Sequence, residues 1–107
     1  MRILRGVWKL ANYVLVHGGR CGGNSGAQWD KIVILLENRG HKAFAPTLSA
    51  AQTSRLEQHI SEICAVIENE HLDAVILAGH SYASFVITGV ADKLPGKIKH
   101  MVYVDSS

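Results

Sequence analysis

At 107 residues the chain is long enough for one domain and too short for two. A net charge of +2, with no basic run interleaved with aromatics, excludes a nucleic-acid footprint. The hydrophobic fraction of 48% is that of an ordinary globular protein, and no apolar run approaches the roughly 20 residues that span a bilayer, so no membrane partner is expected. Arg2 and Arg5 are not followed by a sustained apolar stretch or a small-residue cleavage site. That is not the pattern of a signal peptide, and a cytoplasmic location is expected. Cys21 and Cys64 form neither a C-x-x-C pair nor a metal-ligand cluster, so two reduced thiols are expected, with no metal and no cofactor.

The first ten residues, with Ile3, Leu4, Val7, Trp8 and Leu10, suit a short strand or a turn of helix equally. Tyr13–Val16 is an apolar, β-branched run that reads as a buried parallel strand. It ends at His17-Gly18-Gly19 and opens a loop to Gly26 that is rich in glycine, so its backbone can approach a ligand closely. Ala27 to Arg39 reads as a helix whose apolar face is Trp29, Ile32, Val33, Leu35 and Leu36, with Gly40 just past its end. His41 to Ala45 is a second short strand, stopped by Pro46. Arg55 to Glu70 reads as an amphipathic helix, with Leu56, His59, Ile60, Ile63, Val66 and Ile67 at helical spacing. Ser54 and Glu57 sit at capping-box positions for it.

Ala74 to Ala78 is a third strand, and it runs into Gly79-His80-Ser81-Tyr82-Ala83. A small residue two places before a serine, between strand and helix, is the pattern of a nucleophile elbow, which lifts the hydroxyl to the carboxyl edge of a sheet. Gly79 meets the need for close strand–helix passage; Ala83 stands where the pattern has a second glycine. Ser84 to Asp92 continues as helix, Pro95 and Gly96 break the chain, and Met101 to Val104 is a fourth strand. His100 precedes that strand. Alternating strands and helices with short links imply right-handed βαβ units. His17, Pro46, Ser81 and Asp105 then fall at the carboxyl ends of strands, where ligands of such sheets bind.

These residues resemble the α/β-hydrolase superfamily, and more narrowly its small-esterase branch of methylesterases, hydroxynitrile lyases and bacterial esterases. The matching pieces are Tyr13–Gly19, Ala45–Leu48, Leu77–Ala83, Val86–Asp92 and Met101–Asp105, in the family's order. The resemblance implies a three-layer α/β sandwich with a short, mostly parallel sheet of about four strands and helices on both faces: a truncated α/β-hydrolase fold, its amino-terminal half, in one domain over residues 1–107. It implies Ser81 as nucleophile and oxyanion donors at the N–H of Tyr82 and around Gly18 or Gly19. The family carries its base beyond the last strand of this chain, and no histidine follows His100. His17 has two readings, a makeshift base or a residue that shapes the oxyanion loop. His80 is expected to point away from the pocket. Asp105 is either a triad acid or a solvated carboxylate, and Trp29 and Tyr82 either line a pocket or belong to the core.

Two functions follow. One is a serine-esterase-type hydrolase acting on a small ester or acyl substrate. The other is a non-catalytic small-ligand-binding or dimerisation module that keeps the elbow as a fold device. A dinucleotide-binding reading is weaker, because the loop glycines do not fit G-x-G-x-x-G. Met101 to Val104 is expected at an unpaired sheet edge, which invites a homodimer through that edge.

Overall fold

The structure is a computed structural model that describes residues 10–18, 26–49 and 55–104. In chain order it contains β1 (Asn12–Val16), a 3₁₀ turn (Gly26–Trp29), α1 (Asp30–Asn38), β2 (Lys42–Phe44), α2 (Leu56–Asn69), β3 (Val75–His80), α3 (Ala83–Lys93) and β4 (Ile98–Val104). The strands form one sheet in the order β2-β1-β3-β4, and every pairing is parallel. This is the expected α/β fold. Register runs from Asn12 against Val75 to Val16 against Gly79 in the central pair.

The core lies between the sheet and the α2–α3 pair. Val14 and Val16 from β1 and Val75 and Leu77 from β3 meet Ile60, Ile63 and Ile67 of α2 and Val86, Ile87 and Val90 of α3. Side chains alternate across a strand and recur every three to four residues on a helix, so these spacings put one face of each element inward. Gly89 lets α2 and α3 close up: a Cβ there would lie 2.2 Å from Ile60 Cδ1.

Element boundaries differ from the sequence reading in physically simple ways. The first helical stretch begins as a 3₁₀ turn, and only Asp30 onward is α-helical. Helix α2 begins at Leu56, behind Arg55 in extended conformation with no side-chain cap, and Ser54 lies outside the described residues. Strand β4 starts at Ile98, so His100 lies within it and pairs with Ile76 rather than preceding the strand. The apolar face of α1 is also not buried. No residue of α1 is buried, and Ile32 and Leu35 are 41% and 53% exposed. Among the described residues its chief neighbours are the 3₁₀ turn and the three-residue β2, too little surface to cover it.

Gly40 ends α1 as expected, at φ 88°. Its N–H donates to Glu37 O at 2.9 Å and that of His41 to Leu36 O at 3.1 Å, the paired bonds of a Schellman motif. Gly40→Ala is expected to lower stability by about 1 kcal/mol, because a Cβ strains the left-handed conformation. Equilibrium urea unfolding measures it, and an unchanged midpoint would refute the strain argument.

Candidate active site

The strand order contains a reversal. From β1 the chain steps to β2 on one side; from β2 it crosses back over β1 to β3 and continues to β4. With right-handed crossovers, α1 lies on one face of the sheet and α2 and α3 on the other. The carboxyl ends of β1 and β3 therefore flank the switch point, where open α/β sheets bind ligands. His17 and Gly18 leave β1 there, and Ser81 leaves β3 there.

Ser81 adopts φ 58°, in the left-handed region that a residue with a Cβ enters at a cost of about 1–2 kcal/mol. Local bonds hold it. The Ser84 N–H donates to Ser81 O at 2.9 Å, the Ser84 hydroxyl donates to the same oxygen, and the Phe85 N–H donates to Tyr82 O at 3.0 Å. Gly79 makes the turn possible, since a Cβ there would stand 2.8 Å from the Ala83 carbonyl oxygen. Ala83 itself is fully buried and fits, so the second glycine of the pattern is not required for this turn. Strain of this kind concentrates at functional sites.

Gly18, where the chain leaves β1, lies directly against the elbow. A Cβ on Gly18 would lie 2.6 Å from His80 O and 2.8 Å from Ser81 Cβ, so only glycine allows the approach. The Gly18 N–H donates to Gln28 Oε1 at 3.3 Å. Of the two candidate loop donors, the one at Gly18 is thus already engaged. Gly19 lies outside the described residues, as does Asp105.

His17 is 2% exposed and both its ring nitrogens are bonded. The Leu48 N–H donates to Nε2 at 2.9 Å, so Nε2 carries no proton. The proton is on Nδ1, which donates to Gly18 O at 3.0 Å. This wiring ties the glycine loop to the segment after β2 and leaves no lone pair for a base. His80 is exposed, on the α1 side of the sheet. There it lines a hollow of about 290 Å³ with Gln28, Trp29, Ile32 and Val104. Trp29 thus does line a pocket, with its Nε1 buried and lacking a hydrogen-bond partner among the described residues. Tyr82 turns the other way and packs against the core. His100 lies four register positions below Val104, roughly 13 Å along the strand from the elbow end.

Sequence reasoning gave His59 no part in the site. It is 1% exposed on α2, accepts the Tyr82 hydroxyl proton at Nδ1 (2.9 Å) and donates from Nε2 to Ser49 O (2.9 Å). The donor roles follow because a carbonyl only accepts. The Ser49 N–H in turn donates to Glu62 Oε1 at 3.0 Å. Burial alone would raise the Glu62 carboxyl; bonds from Ser49 and Gln58, with His59 nearby, outweigh it and hold the carboxyl below its ordinary value. The one sequence signal was a polar residue on an apolar stripe, which must find partners when buried.

No protein-family model matches the chain. A fold of this order, with a serine elbow at its switch point, is that of the α/β-hydrolases. The chain is a relative of the esterases and methylesterases of that superfamily. It is 40% identical over 105 residues to a carbendazim-hydrolysing esterase of Nocardioides sp. (strain SG-4G), covering 91% of this chain and 42% of that protein. It is 33% identical over 104 residues to methylesterase 8 of Arabidopsis thaliana, covering 89% and 37%. An extracellular α/β-hydrolase from a Paenibacillus species, described as structurally and functionally homologous to tobacco salicylic acid binding protein 2, superposes with a TM-score of 0.77 at 26% identity, over 87% of this chain and 39% of that one. The chain spans about two fifths of the length of the curated relatives it matches. No helix among the described residues is long and apolar enough to cross a membrane.

Proposed function

We propose that the chain carries the nucleophile and oxyanion side of a serine esterase acting on a small ester or acyl substrate. Ser81 Oγ attacks the ester carbonyl, its proton passes to a base, and the oxyanion accepts from the Tyr82 N–H and a second N–H of the Gly18–Gly19 loop. Collapse expels the alcohol and leaves an acyl-serine that water then cleaves. The observation that carries this reading is Ser81 at φ 58° beside the β1 loop at the switch point. His17 takes the loop-shaping part of its two readings. Neither His17 nor His59 serves as that base, since both ring nitrogens of each are engaged. Asp105 as acid, a cytoplasmic location and a homodimer through β4 belong to the same proposal. Strand β4 is the end strand of the described sheet, with Val102 and Tyr103 exposed.

The engaged histidines favour a second reading, a non-catalytic module that keeps the elbow to bind a small ligand. Intact mass after incubation with a fluorophosphonate decides between them. The esterase reading expects one adduct per chain in the wild type and none in Ser81→Ala. A protein folded by circular dichroism that takes no adduct supports the binding module.

A further inference from the structure

Two buried histidines converge on one dipeptide. His17 accepts the N–H of Leu48 and His59 donates to the C=O of Ser49. From their other nitrogens, His17 holds the carbonyl of Gly18 and His59 holds the hydroxyl of Tyr82. The loop that faces the elbow and the residue that follows Ser81 are therefore referenced to the same two residues. That dipeptide is itself fixed: Leu48 is buried, and the Ser49 amide is bound by Glu62.

From this wiring we propose that His59 is a positioning residue, which sets the direction of the Tyr82 backbone N–H by anchoring the Tyr82 hydroxyl. The inference rests on the esterase reading, in which that N–H is an oxyanion donor. The N–H belongs to the peptide joining Ser81 to Tyr82, whose plane is set by the strained Ser81 and by where Tyr82 is held. A tyrosine ring has few rotatable bonds, so fixing its tip fixes its Cα. The ring is further aligned edge-on to His59, with centroids 5.6 Å apart and planes at 81°. Without the anchor, the Ser81 turn can relax and the donor swings off the point where charge develops. A displacement on the scale of 1 Å costs on the order of 10²-fold in rate.

The test is a double-mutant cycle. His59→Gln keeps a donor for Ser49 O and removes the acceptor for Tyr82. Tyr82→Phe removes only the hydroxyl. His59→Asn returns an oxygen near the position of Nδ1. With p-nitrophenyl acetate, the Gln and Phe variants are expected to lose on the order of 10- to 10²-fold in kcat with KM little changed. The double variant should lose no more than either, and Asn should recover part of the loss. Losses that multiply in the double variant, or that fall on KM alone, overturn the proposal. The amide proton shift of Tyr82 is read on the same proteins. It should move in both single variants and no further in the double, and a Tyr82 amide that stays in place also overturns the proposal. If the wild type turns over no ester, the esterase reading fails, and the amide cycle alone decides whether His59 positions Tyr82. Tyr82→Phe, which leaves the ring in the core, keeps the test open if His59→Gln does not fold.

Discussion

Gly79→Ala should destabilise the protein by about 1–3 kcal/mol, the range for forcing atoms into a packed site. The new methyl would sit 2.8 Å from the oxygen and 3.0 Å from the carbon of the Ala83 carbonyl, and 3.1 Å from Ile87 Cγ2. The first two contacts are to backbone in the first turn of α3, so no side-chain rotation relieves them. Relief requires α3 to move away from β3, which breaks the bonds from Ser84 and Phe85 that hold the Ser81 turn. Gly96→Ala is the matched control, because nothing lies within 4 Å of a Cβ there. Its effect should stay within about 0.5 kcal/mol. Urea midpoints of the two variants provide the comparison, and equal values would show that α3 is free to slide.

Ile63→Ala should cost about 2–5 kcal/mol, a large part of the roughly 5–15 kcal/mol that a small domain possesses. Ile63 is fully buried on α2, inside the cluster contributed by β1, β3 and α3. Removing most of its side chain loses the transfer energy and leaves a cavity that the neighbours fill only in part. Leu35→Ala on α1 is the contrast, because Leu35 is more than half exposed and has little burial to lose. Its expected change is within about 0.5 kcal/mol. A loss at Leu35 comparable to that at Ile63 would mean that the outer face of α1 is covered in solution.

What could be read from the residues depended on whether the signal was local. The runs Tyr13–Val16 and Ala74–Ala78 announce buried strands because both their faces are apolar, and both strands are observed. The elbow was legible because strand, glycine, serine and helix follow each other without a gap. Gly40 announced the end of α1. The corresponding end of α2 was less visible: His71 occupies the left-handed position at φ 55°, with Leu72 N–H bonded to Ile67 O, and histidine is a weak signal for that conformation. The start of β4 was missed because Lys99 and His100 are exposed edge residues that carry no apolar pattern. His59 was legible only as an oddity, since its partners Ser49 and Tyr82 come from a loop and a turn that meet only in the fold. The exposure of α1 depends on what packs against it, which no helical pattern contains.

The pairing of Asn12 with Val75 has a kinetic meaning. The two strands that carry the site are separated by more than half of the chain, and both β2 and α2 intervene between them. Loop-closure entropy has to be met before that pairing returns any energy, so it belongs to the late, slow part of folding. The elbow and Gly18 become neighbours only when this longest closure is complete. A peptide holding β3 and α3 alone contains the serine and the turn, but nothing against which Gly18 can be set. The elbow geometry is thus a reporter of global folding, and it should vanish and return with the last cooperative step rather than with any local one.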